Sequence, residues 1–247
     1  MFPLIHYFTN KKIFGQVPPL MKLGGFYPDF AAGSGYNRDA AHLMGDTFYI
    51  WCIENQPAAL PLALGILSHG SAPGGVDYYA DEHWPNCERG WCFEEGKPWM
   101  KKIAAASKLP ENLIFWKSHN FVEMTCELIV NSDENNLSKE LLSVIDDKCT
   151  IEYAAEILAA YTDCDKAKIA EMFNKAAYIF ALEEVTPQAM AEKQQQAFAF
   201  RHNVVNSDVP GMAAVLDEMR ESICDRYYPY IEQSTMLVGK MLDKYKY

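Results

Sequence analysis

A chain of 247 residues, 49% hydrophobic and 13% aromatic, carries enough apolar surface for one large core, which excludes a disordered protein. Its net charge of −11, with no cluster of Lys or Arg, excludes broad binding to nucleic-acid backbone. Seven scattered cysteines without a Cys-x-x-Cys pair argue against a disulfide framework and against a thiolate zinc knot.

The chain opens on a short apolar stretch that contains His6 and ends at Lys11 and Lys12. A signal peptide has its charges before the apolar residues, so this order predicts a cytoplasmic protein. No apolar run reaches the roughly 18 uncharged residues of a membrane span. Residues 23–35 hold five Gly or Pro and read as an ordered loop, with Asp29 after Pro28 as a turn residue or a metal carboxylate. Asn37 is a good cap for a helix running through His42 and Asp46 to about Glu54. In that helix His42 and Asp46 lie four residues apart, on one face.

A second, almost wholly apolar helix is expected from Ala58 to Ser68 and ends at His69-Gly70, where the histidine is a cap or a ligand. Residues 70–110 are rich in Gly, Pro and aromatics and read as one long functional loop with an aromatic-walled mouth. Within it, Asp77, Asp81, Glu82 and His83 add three acids and a histidine. Residues 112–130 read as a mostly buried helix in which His119 and Glu123 share a face, as a metal pair or as a buried hydrogen bond.

After a polar break at 132–136, helices are expected at 137–147, 151–162, 164–182, 187–200 and 210–245. Their one histidine, His202, carries no expected role. Strand signals are almost absent, so the predicted fold is all-α, with a metal-binding core over 1–131 and C-terminal helices over 132–247 packed on it. Phosphate-binding loops, dinucleotide fingerprints and nucleophile elbows are missing from the sequence.

In chain order the candidate ligands are His6, Asp29, His42, His69, Asp77, His83, His119 and Glu123. Imidazoles and carboxylates without thiolates suit Zn²⁺ or another first-row divalent ion. Their order resembles the bacterial zinc-dependent phospholipase C family, whose superfamily includes fungal single-strand nucleases. The agreement lies in Asp29 to His42 (thirteen residues), Asp77 to His83 (six) and His119 to Glu123 (four), and it covers roughly residues 1–130. His69 to Asp77 spans eight residues where that family has four, which leaves Asp81 as the alternative bridging acid, with His83 then outside the ligand set.

The resemblance implies an all-α bundle, with extra C-terminal helices here, and two or three zinc ions. One ion would take Asp29, His42, His69 and Asp77, and a second His83, His119 and Glu123. The third would take His6, Asp77 as bridge and the Met1 amine. Asp46 would then orient His42 from behind the ligands. It also implies hydrolysis of a phosphoester or phospholipid-like substrate by a metal-bound hydroxide that Asp29 aligns. Two other readings stand beside it: a non-catalytic metal-binding or interaction protein that retains the ligand set, and a helical scaffold with structural histidines.

Overall fold

The computed structural model describes residues 2–134 and 136–245, and among them the fold is all-α. In chain order the α-helices are α1 (Pro3–Phe14), α2 (Pro19–Gly24), α3 (Tyr27–Phe30), α4 (Arg38–Leu43), α5 (Gly45–Asn55), α6 (Leu60–His69) and α7 (Trp91–Gly96). Then come α8 (Met100–Ser107), α9 (Glu111–Asp133), α10 (Leu137–Ile145), α11 (Lys148–Thr162), α12 (Lys166–Ile179), α13 (Pro187–His202) and α14 (Val209–Leu242). Local chemistry sets many of the boundaries. Side chains of Asn37, Asp147, Asp165, Thr186 and Asp208 accept hydrogen bonds from otherwise unpaired amides in the first turns of α4, α11, α12, α13 and α14. Proline occupies the first turn of α1, α2, α3, α6, α13 and α14, where its missing N–H costs nothing.

Two long helices form the spine. The 23 residues of α9 span about 35 Å at roughly 1.5 Å per residue, and α14 lies against it. The face of α9 from Phe121 to Val130 is buried almost without interruption. One apolar core runs from Leu4 through Leu128 and Phe173 to Leu242, so the helices after residue 132 share it with those before. No described helix is long and apolar enough to cross a membrane.

Three expectations about local structure are corrected. The single helix expected from Asn37 to Glu54 is broken at Met44, because the turn from α4 into α5 lets Gly45 sit against Leu67 of α6. The glycine-rich stretch 23–35 is not a plain loop: it holds the turn α3 and a 3₁₀ turn over Ala31–Ser34. The expected loop 70–110 contains a π-helical turn at Tyr78–Glu82 as well as α7 and α8. Its aromatics mostly face the core. Trp91 stacks on Tyr230 of α14 at 4.2 Å between ring centroids, and Trp84 meets the same ring edge-on at 4.9 Å.

Glycines set how closely α2 approaches α6. A Cβ on Gly65 would lie 2.2 Å from the carbonyl oxygen of Met21, and one on Gly24 would lie 2.1 Å from that of Leu62. This contact brings the backbone at Gly25 to His69. Gly65→Ala should therefore force the helices apart and cost about 3 kcal/mol, a Tm fall of roughly 6–12 °C in thermal denaturation. An unchanged Tm would mean that the two helices are not held at this distance.

Candidate metal centre

Five elements converge beside the middle of α9. α1 brings His6, α3 brings Asp29, α4 brings His42, the end of α6 brings His69, and the segment after Gly75 brings Asp77. Side-chain oxygens and nitrogens of Asp29, His42, His69 and Asp77 all lie within 4.8 Å of one another. His42 Nε2 and His69 Nε2 are each 3.2 Å from Asp77 Oδ2 and 3.4 Å from each other. Asp29 Oδ1 is 3.7 Å from the first nitrogen and 3.8 Å from the second. A tetrahedral ion with bonds of about 2.1 Å has ligand atoms roughly 3.4 Å apart, so these spacings match the edges of such a site.

The second ring nitrogens explain why both imidazoles point this way. Nδ1 of His42 lies 2.8 Å from the Arg38 carbonyl oxygen, and Nδ1 of His69 lies 2.8 Å from that of Gly25. A proton held on Nδ1 by a carbonyl leaves Nε2 free to donate its lone pair. The other oxygen of Asp77, Oδ1, is 3.5 Å from His6 Nε2, and the His6 ring stacks on His69 at 3.7 Å between centroids. Asp77 thus faces two donor positions at once. Glu127, buried in α9, accepts a 2.8 Å hydrogen bond from the Ile5 amide and so holds the start of α1, with His6, against the centre.

A second group joins Asp81, His119 and Glu123, again with one ligand atom each within 4.8 Å of the others. Asp77 and Asp81 are four residues apart across the start of the π-helical turn, whose closing bond runs from the His83 amide to the Tyr78 carbonyl at 2.8 Å. One carboxylate goes to each group. Gly90 holds this turn in place: its amide donates to the Asp81 carbonyl, and a Cβ there would lie 2.2 Å from the Ala80 backbone. The Asn120 side-chain amide lies 3.2 Å from His119 Nε2 and donates at 3.0 Å to Glu123 Oε2, so it fixes both ligands.

Electrostatics distinguish the two groups. Burial alone would lower His42, but hydrogen bonds to Asp29 and Asp77 outweigh it and raise the imidazole to about 9. Burial opposes ionisation of Asp29 and Asp77 too, yet the facing histidines hold both carboxyls below the usual range. The second group lacks such cations. Burial and then Glu123 push Asp81 well above the usual carboxylate range, and burial lowers His119 to about 4. Asp81 Oδ1 and His119 Nδ1 are buried with no hydrogen-bond partner among the described residues. Two adjacent acids, a neutral imidazole and orphaned donor atoms form a set that a divalent cation would complete.

One expected ligand and one expected supporting residue stand elsewhere. His83 is not in the second group: the π-helical turn ends at Glu82 and leaves His83 exposed, with its ring near Tyr78. Asp81 takes the place expected for it. Asp46 does not orient His42, because the break at Met44 turns it to the exposed side of α5, where its carboxylate accepts from the Tyr245 hydroxyl. Met1, expected as an amine ligand, lies outside the described residues.

Asp29, Asp81, His119 and Glu123 open onto a pocket of about 130 Å³. Its opposite wall comes from α12 and α13 and includes Phe180, Gln194, Phe198, Arg201 and His202, so His202 does face the site. Arg38, Lys117, Asn120 and Phe2 also line it. Phe93, an aromatic of the 70–110 stretch, stacks on His119 at 4.3 Å. Sequence reasoning passed over Arg38, Asn120 and Arg201. Only Asn120, one residue after His119, carried a local signal.

Against known proteins the chain stands apart: no family model, curated protein or solved structure matches it.

Proposed function

We propose that the protein is a metal-dependent, zinc-type hydrolase of phosphate esters, related in chemistry to the phospholipases C that its ligand order resembles. The carrying observation is that Asp77 and the π-helical turn after it deliver two carboxylates to two adjacent donor groups, of which Asp29, Asp81, His119 and Glu123 line one pocket beside Arg38. His42, His69, Asp29 and Asp77 would hold one ion, Asp81, His119 and Glu123 another, and His6 with Asp77 Oδ1 a third. When bound, such ions acidify a water and draw charge from phosphoryl oxygens.

The chain's own residues do the rest. Asp29 belongs to the first group and also lines the pocket, and its low pKa keeps it ionised, so it accepts a hydrogen bond from the attacking water and aligns it. Arg38 lines the same pocket with a guanidinium that stays charged, and it binds a phosphoryl oxygen as negative charge grows there. Asn120 keeps His119 and Glu123 in place throughout. Residues at the end of α12 and on α13 form part of the pocket wall.

The test is metal analysis together with turnover of bis(p-nitrophenyl) phosphate. His69→Ala and His119→Ala should each lower kcat/KM by at least about 100-fold. Metal content well below one ion per chain would end the proposal. The depth of the first group, with His6, His69 and Asp77 each at most 1% exposed, favours a second reading. In it the metal is structural or stored in a non-catalytic protein, and bound zinc without turnover of any phosphoester would decide for it.

A further inference from the structure

Lys117 of α9, Arg38 of α4, and Arg201 and His202 at the end of α13 line the same pocket as the carboxylates. Lys117 and Arg201 have no carboxylate within ion-pair distance among the described residues, and Arg38 only touches exposed Asp39 at 4.0 Å. His202 Nε2 is buried there without a hydrogen-bond partner. In a protein of net charge −11, unpaired cations gathered in one concavity are a site rather than a solvated face.

From this we infer that Lys117, Arg201 and His202 form an anion subsite that binds a second negatively charged group of the substrate, at the end away from the reacting phosphate. The inference rests on the hydrolase reading for what occupies the metal side of the pocket. It names the substrate class: a small phosphoester whose remaining part carries a phosphate or carboxylate, rather than a quaternary ammonium or an uncharged chain. An anionic group entering between Lys117 and Arg201 would meet positive charge from both. The planar fork of Arg201 suits two oxygens of one phosphate or carboxylate, while Lys117 supplies a point charge. Gln194, on the same wall, adds a neutral amide. Phe180 and Phe198 line the same pocket and offer apolar surface to the part of the substrate between its two anions.

Titration calorimetry on the zinc-loaded full chain tests this with four probes: propyl phosphate, propane-1,3-diyl bisphosphate, 3-(phosphonooxy)propanoate and phosphocholine. Both doubly anionic probes should bind at least tenfold tighter than propyl phosphate, and phosphocholine should bind more weakly. The ratio between bisphosphate and carboxylate then shows which anion the subsite prefers. Lys117→Gln with Arg201→Gln should abolish the tenfold preference while leaving propyl phosphate affinity unchanged. Equal binding of the mono- and doubly anionic probes to the wild type, or a preference that survives in the double variant, overturns the inference. Preference without turnover of any ester would instead sink the hydrolase reading and leave the subsite standing, whereas turnover without preference would do the reverse.

Discussion

Asp77→Ala should lose at least one zinc ion per chain and weaken the remaining binding by at least about 100-fold, because Oδ2 faces His42 and His69 while Oδ1 faces His6. The same loss should appear in stability. An ion at about 1,000 times its Kd stabilises the folded state by about 4 kcal/mol, which corresponds to a Tm rise of roughly 8–16 °C for a chain of this size. The wild type should show that rise when zinc is added after chelation, and Asp77→Ala should show none. Asp77→Asn keeps the volume of the side chain and separates loss of charge from loss of packing. His83→Ala and Asp46→Ala should behave as the wild type, since both residues stand outside the two donor groups. Zinc loss in either control, or a full zinc response in Asp77→Ala, would overturn the assignment.

Zinc affinity should rise steeply with pH up to about 9. His42 is raised to about 9 in the absence of metal, so near pH 7 it carries a proton that zinc must displace. Its contribution alone makes log K increase by about one per pH unit below 9 and level off above it. Asp81, pushed up by burial and Glu123, acts in the same direction. Calorimetry in buffers of different ionisation enthalpy should therefore detect proton release at pH 7, and its absence would contradict the charge state assigned to His42.

The signs for the metal-free protein follow from the same shifts. A histidine raised from 6.5 to about 9 contributes stability that is complete below 6.5 and gone above 9, roughly 3 kcal/mol in total. Asp29 and Asp77, both lowered, contribute stability present above about 4 and lost as the pH falls further. Glu127, raised to about 8 by burial, binds its proton more tightly folded than unfolded, so stability declines between about 4.5 and 8. His119, lowered to about 4, gains stability as the pH rises from about 4 to 6.5 and offsets Glu127 there, so the stripped protein should be most stable between about pH 4 and 6.5 and decline above. Zinc should flatten the alkaline side, because the ion takes over the role of the His42 proton.

Some of this could be read from the chain alone. His119 and Glu123 were legible because an α-helix places residues four apart on one face, and nothing interrupts α9 between them. The same rule failed for His42 and Asp46, where Gly45 lets the helix break against Leu67. His83 was misread because spacing along a chain carries no information about a π-helical turn, which ends just before it and moves the second carboxylate, Asp81, into its place. The helices after residue 132 were found to within a few residues by their apolar periodicity. Their part in the pocket was not, since Arg201 and His202 reach Lys117 only through the packing of α13 on the core.

By itself the sequence determined the all-α class, most helix positions and the residue types capable of holding a divalent ion. These follow from local rules: periodicity, capping and the chemistry of imidazole and carboxylate. Tertiary structure alone decided that His6, Asp29, His42, His69 and Asp77 meet, that Asp81 rather than His83 joins His119, and that Arg38, Lys117 and Arg201 line one pocket with the carboxylates. Those outcomes depend on close approaches such as Gly24 to Gly65 and Gly90 to Ala80, where backbones from distant parts of the chain touch and set the direction of every ligand.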